Sequence, residues 1–227
     1  MVELIKNINK EDLGYEAFEK LKQILIKNKN KNLVIALSGG SSVKPIYDTI
    51  KENYNQIYDW SKITFILADE RIVPVNNKDS NYKFVKDYFL NELIDKEIIC
   101  EDQIIPININ AKNIAKDYQE KVGRKIDVAI LGVGPDSHTC SLFPNHESIK
   151  DESKEFILVE NSPKPPKRRI SMSKNMVKNV ENLFVFFIGE NKREAFENFL
   201  DNEKGEEEVP IKIVKNCENS FIFTDLN

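Results

Sequence analysis

Histidine occurs twice, cysteine three times and tryptophan once in 227 residues. The three cysteines, Cys100, Cys140 and Cys217, stand far apart and in odd number, and no CxxC occurs. That excludes a disulfide framework and a zinc knuckle, and it predicts reduced thiols in a cytoplasmic protein. Two histidines without an HExxH pair are too few for a catalytic metal, so no metal is expected. Eight glycines, nine prolines and no sustained heptad exclude collagen-like, low-complexity and coiled-coil classes. No run approaches the roughly 18 apolar residues of a membrane span. The first residues show neither an apolar h-region nor a small-residue cleavage site, so no membrane association and no export are expected. Lys+Arg 33 against Asp+Glu 37 gives a net charge of −4. A global basic field for nucleic acid is therefore missing, and no nucleic-acid partner is expected.

What is present is alternation. Apolar residues make up 41% and charged residues 31%, a composition that buries a core under a charged surface. Residues 11–28 carry Leu13, Phe18, Leu21, Ile24 and Leu25 at helical spacing. Residues 32–38 form a short, continuously apolar run rich in β-branched side chains. A helix at 42–54 follows, then a second buried run at 63–68. Helices are predicted at 80–95 and 111–122, and a third apolar run at 126–131. A fourth at 183–188 precedes an amphipathic helix at 190–202, and 221–224 reads as a last strand. Runs that are apolar throughout are covered on both faces. Interleaved with helices, they predict a mostly parallel sheet between two helical layers. No strong linker or internal repeat appears, so the chain 1–227 reads as a single α/β domain.

In open α/β sheets, ligands sit beyond the carboxyl ends of the strands. After the first run come Ser38, Gly39, Gly40, Ser41 and Ser42, leading straight into a helix. The free N–H groups, the helix dipole and two hydroxyls there suit a phosphate. The same residues also fit a plain strand-to-helix turn capped by Ser42. After the second run come Asp69, Glu70 and Arg71, able to orient a polyol and clamp an anion, or to form a surface ion pair. Asp79-Ser80-Asn81 reads as a helix cap. After the third run, His138 lies in the polar, glycine-rich stretch Gly132–Pro144, with Asp136 two residues before it. An imidazole there suits a general base, and Asp136 could orient it or cap the next helix. His146 follows a turn and reads as an exposed bystander. GxSxG is absent, so Ser141 is not expected to be a nucleophile. Gly132–Ser137 lacks the last glycine of a dinucleotide fingerprint. Finally, Lys164, Lys167, Arg168 and Arg169 gather in a proline-rich stretch. It reads as a solvated basic loop or as a stiff cationic lid over an anionic substrate.

Taken in order, Ser38-Gly-Gly-Ser41, Asp69-Glu-Arg71, Asp79-Ser-Asn81, Asp127–Asp136, His138-Thr-Cys-Ser-Leu-Phe-Pro144, and Ser162-Pro-Lys-Pro-Pro166 with Arg169-Ile170 resemble the 6-phosphogluconolactonases. These share a superfamily with glucosamine-6-phosphate deaminase. The resemblance implies a Rossmann-like three-layer sandwich and hydrolysis of a 6-phosphogluconolactone, the second step of the oxidative pentose phosphate pathway, without cofactor or metal. It implies His138 as the base, Arg71 at the developing oxyanion, and Asp69 orienting sugar hydroxyls or Arg71. The substrate phosphate would lie on Gly39, Gly40, Ser41 and Ser42, with Lys164 and Arg169 closing on it. The expected partner is a small sugar phosphate, and a monomer is the expected state.

Two positions depart from the pattern. Ser137 stands where the family carries glycine, and Ser42-Val43 where many members carry Thr-Pro. A left-handed backbone at Ser137 would cost of order 1 kcal/mol.

Three rivals remain. A deaminase would carry Asp-Glu-Tyr in place of Asp69-Glu70-Arg71. A sugar-phosphate sensor would carry a DNA-binding head, for which a first strand near residue 32 leaves no room. The chain could also be one part of a larger fused dehydrogenase.

Overall fold

The computed structural model describes residues 1–57 and 59–227. The chain opens with strand β1 (Val2–Lys6), helix α1 (Lys10–Lys27) and strand β2 (Leu33–Leu37). Asn9 caps α1 by accepting from the Glu11 amide, and Leu13, Ala17, Phe18, Leu21 and Leu25 form its buried stripe. Next come α2 (Lys44–Asn53), β3 (Ile63–Leu67), β4 (Asp69–Arg71), α3 (Asn81–Val85) and α4 (Asn91–Asp95). A π-turn over Lys86–Leu90 joins α3 to α4, so the helix expected at 80–95 is continuous but carries one widened turn. The rest of the chain runs through α5 (Ile114–Val122), β5 (Val128–Gly132), α6 (Glu147–Lys150), β6 (Phe156–Val159) and β7 (Arg169–Met172). It ends with α7 (Lys174–Lys178), β8 (Asn182–Phe187), α8 (Arg193–Leu200) and β9 (Asn219–Thr224).

Six strands form a sheet in the order β1-β9-β8-β5-β2-β3, and every neighbouring pair in it is parallel. Burial on both faces explains the uninterrupted apolar runs. In β2, Val34 and Ala36 enter one hydrophobic cluster while Leu33, Ile35 and Leu37 enter the other. Helices cover both clusters, which gives the three-layer α/β architecture expected. A second sheet, β4-β7-β6, is antiparallel and lies outside that expectation.

Four strands escaped the sequence reading, each for a physical reason. β1 buries only Ile5 and is held by β9 on one side alone. It also displaces the expectation that the first strand lies near residue 32. β4 is three polar residues with no apolar period. β6 and β7 flank the proline-rich stretch, and β7 places Arg169 and Ile170 in a strand rather than in the loop. Among the described residues, no helix is long and apolar enough to cross a membrane.

β3 is the far strand of the large sheet, so its outward amides need other partners. The buried hydroxyl of Tyr118, on α5, accepts from the Leu67 amide at 2.7 Å. Tyr118→Phe leaves that amide without its acceptor and should cost about 1–3 kcal/mol. Urea unfolding checks it, with a lowered midpoint at unchanged slope as the expected result.

Candidate active site

The chain leaves β2 toward β3 on one side of the sheet and returns at β5 on the other. The carboxyl ends of β2 and β5 therefore border the crevice in which open α/β sheets bind ligands. Ser38–Ser42 leave β2 there, and Gly132–Ser137 leave β5 opposite. Gly40 has φ 102°, a backbone state open to glycine at no steric cost. A 3₁₀ turn over Ser41–Val43 then feeds α2. No side chain caps either start, so Ser42 is not the N-cap that a plain turn would need. The hydroxyls of Ser41 and Ser42 are not spent on the helix start.

β4 and β7 bring the charges together. Arg71 is paired directly with Arg169, and Asp69 with Ser171. Residues opposite each other, and two apart, share a face of the sheet. Asp69, Arg71, Arg169 and Ser171 thus look the same way, and Glu70 looks to the other. Among the described residues, neither arginine forms a salt bridge. Arg71 donates through Nη1 to the Asp79 carbonyl at 2.8 Å, and its buried Nε has no partner. Arg169 is nearly fully buried and donates to the carbonyls of Lys164, Pro165 and Pro166. Burial, and the like charge of Arg71, push the Arg169 guanidinium below its ordinary value. Two cations held on one face, with no carboxylate partner among the described residues, have the charge and donors to receive an anion.

The carboxylate of Asp69 is fixed from both sides. Ser141 Oγ donates to Oδ2 at 2.8 Å, and Asn81 Nδ2 donates to Oδ1 at 3.1 Å. Glu70 anchors the segment that supplies Asn81. It accepts from the amides of Arg71, Asn81 and Tyr82 and from the Ser80 hydroxyl. Burial nevertheless raises the Glu70 carboxyl above its usual value, with those hydrogen bonds opposing it. Ser80 caps α3, accepting from the Lys83 amide, as the Asp79-Ser80-Asn81 pattern predicted.

His138 sits across the crevice, its ring 4.8 Å from that of Phe143. Its Nδ1 lies 2.5 Å from Asp136 Oδ1. An ionised carboxylate only accepts, so Nδ1 carries a proton, and in the neutral ring it is Nε2 that holds the lone pair. Nε2 has no hydrogen-bond partner among the described residues. A Cβ on Gly134 would fall 2.0 Å from His138 Nδ1, so only glycine there lets the imidazole lie against the backbone. Burial works against the Asp136 charge, yet the hydrogen bonds and charges of His138 and Lys164 hold its carboxyl well below the usual range. His146, read as a bystander, is half-buried and caps α6.

Gly39, Gly40, Ser41, Ser42, Asp69, Arg71, His138 and Arg169 line one open cavity of about 230 Å³. Lys164 is the exception among the expected residues. Its ammonium reaches Asp136 Oδ1 at 2.7 Å and is not in the cavity wall. Of the other loop cations, Arg168 pairs with Glu160 on the surface.

Two wall residues were missed. Asn81 was read only as part of a cap. Lys192 follows β8 and is nine-tenths buried. Burial, with the neighbouring charge of Lys164, pushes its ammonium below the ordinary value. Reading beyond the carboxyl end of the fourth apolar run, as was done for the first three, would have found Gly189–Lys192. A larger cleft of about 850 Å³ between α1 and α2 contains no histidine or arginine, so size does not locate the chemistry. Among the described residues, no group of three His, Cys, Asp or Glu could hold a metal.

Ser137 is left-handed at φ 69°, and its buried hydroxyl has no partner among the described residues. Ser137→Gly removes both costs and should stabilise the fold by about 1 kcal/mol. Thermal unfolding checks this, with an unchanged or lower Tm counting against strain at this loop.

The family model for glucosamine-6-phosphate isomerases/6-phosphogluconolactonase matches residues 9–223. The 6-phosphogluconolactonase 3 of Arabidopsis thaliana, a chloroplastic protein, is 33% identical over 184 residues, 73% of this chain and 55% of the relative. A chloroplastic relative from Oryza sativa is 31% identical over 211 residues, 84% of this chain and 63% of that protein. The chain therefore spans less than two thirds of the length of these plant relatives. Among solved structures, a 6-phosphogluconolactonase from Thermotoga maritima superposes with a TM-score of 0.81 at 20% identity, over 99% of this chain and 98% of the other. One from Trypanosoma brucei gives 0.80 at 22%, over 98% and 95%. The fold is thus shared from end to end, and the chain belongs to the glucosamine-6-phosphate isomerase/6-phosphogluconolactonase family.

Proposed function

We propose that this chain hydrolyses 6-phospho-D-glucono-1,5-lactone to 6-phospho-D-gluconate, as the names of its relatives suggest. The observation that carries the reading is that, among the described residues, an imidazole nitrogen without a hydrogen-bond partner shares a cavity with two guanidiniums that form no salt bridge and with an uncapped helix start. Neutral His138 takes a proton at Nε2 from water as the water oxygen bonds to the lactone carbonyl carbon. Asp136 keeps the ring oriented and favours the imidazolium that forms. Arg71 stabilises the negative charge that develops on the carbonyl oxygen, the kind of contribution that is often the largest. When the tetrahedral intermediate collapses, the bond from carbon to ring oxygen breaks and His138 returns the proton to that oxygen. Asp69, held by Ser141 and Asn81, orients the sugar hydroxyls. The phosphate lies on Gly39, Gly40, Ser41 and Ser42 with Arg169 and Lys192. Phosphate held far from the carbonyl also aligns the reacting end. No step calls for a cofactor or a metal. A monomer belongs to the same proposal, as does the cytoplasm, a compartment that suits three free thiols.

The reaction is measured with freshly generated lactone, in an assay coupled to oxidation of the product, above the spontaneous rate. His138→Ala should lower kcat by about 10²–10⁴-fold with little change in KM, and an unchanged kcat removes His138 from the mechanism. Ammonia released from glucosamine 6-phosphate instead would assign the chain to the deaminase branch.

Lys192→Met tests the anion site. KM for the phosphorylated lactone should rise by about 10–100-fold, while unphosphorylated gluconolactone is unaffected. Equal losses on both substrates would show that the phosphate does not bind there.

A further inference from the structure

The proline-rich loop delivers its lysine to a place that an anion ligand would not occupy. Asp136 Oδ1 receives both His138 Nδ1, at 2.5 Å, and Lys164 Nζ, at 2.7 Å. The two nitrogens stand 3.4 Å apart. The backbone that carries Lys164 is fastened on both sides. Ser162, fully buried, donates through Oγ to the Lys164 carbonyl at 2.8 Å and accepts from the Lys164 amide at 3.2 Å. Arg169 donates to the carbonyls of Lys164, Pro165 and Pro166. Arg169 itself lies over the Phe143 ring at 5.3 Å, the ring against which His138 packs. One braced unit thus holds an ammonium, a carboxylate and an imidazole in contact.

We propose that Lys164 is a positioning residue that sets the proton affinity of His138 through their shared Asp136 oxygen, and that it is not a ligand of the substrate phosphate. A carboxylate alone favours the imidazolium. An ammonium on the same oxygen offsets that carboxylate and repels the imidazolium directly, so it keeps the base neutral toward lower pH. Other charges face this group. Arg169, from β7, and Lys192, beyond β8, both feel the Asp136 charge. Asp69 and Arg71 face it from β4, and the neighbouring Cys140 thiol is pushed up by burial and stays neutral. Lys164 is the cation in hydrogen-bond contact with Asp136. Its side chain is 36% exposed, so water screens the effect to roughly a tenfold change in the protonation constant. The catalytic consequence rests on His138 being the base, but the electrostatic one does not.

Two histidines make the test direct. Imidazole titration by NMR, with His146→Asn to assign the signals, is compared between the unaltered protein, Lys164→Met and Lys164→Arg. In Lys164→Met the His138 midpoint should move up by about one pH unit, and Lys164→Arg should restore it. The acid limb of kcat/KM should move with it, giving about a tenfold loss below the limb, little loss above it, and an unchanged KM. An unmoved midpoint in folded Lys164→Met overturns the proposal. So does a raised KM for the phosphorylated lactone with an unmoved limb, the behaviour of an anion ligand. A shift that persists while His138→Ala retains full activity supports the proposal and overturns the catalytic reading instead.

Discussion

The site depends on one pairing. Antiparallel contact between β4 and β7 sets Arg71 opposite Arg169, an arrangement that repels in the absence of an anion. The protein meets that cost in two ways. Carbonyl oxygens of Asp79 and of the proline-rich loop solvate the guanidiniums, and the carboxylate of Asp69 stands on the same face without closing a salt bridge. The positive charge is therefore kept in place and left available. A short strand of three polar residues would not survive alone. It persists because β7 pairs with it and because Glu70, on its reverse face, collects four donors from the chain around it.

Rigid parts converge on this pair from three directions. β2 ends at an uncapped turn whose residues line the cavity, and β5 ends at the loop that carries His138. β8 ends at Lys192. Parallel packing makes all three strands terminate at the same edge of the sheet, which is why residues distant in sequence become neighbours. The imidazole is placed by exclusion as well as attraction. Gly134 leaves room for it, Phe143 backs it, and Asp136 fixes which nitrogen holds the proton. The loop stores strain at Ser137, whose left-handed backbone and hydroxyl, unsatisfied among the described residues, are a local cost beside His138.

Arg169 joins two tasks that a sequence reading separates. It lines the cavity and also holds three successive carbonyls of the loop that presents Lys164. One guanidinium thus belongs both to the cavity wall and to the brace behind Lys164. The proline-rich stretch is then less a lid than a bracket, with Lys164 turned toward Asp136 and Lys167 and Arg168 on the surface.

Sequence alone determined most of the large parallel sheet, because residues buried on both faces leave the apolar runs at 32–38, 63–68, 126–131 and 183–188. It also determined the order of polar segments after those runs, and with them most of the cavity wall. Tertiary structure decided what periodicity could not express. β4 is polar throughout and exists only through its partner, so the facing arginines were invisible until β7 was in place. Lys164 and Lys192 are both lysines near loops in the sequence. Only the fold sends one to a carboxylate beside the imidazole and the other into the wall of the cavity, because side-chain direction is set by the elements on either side and not by residue type.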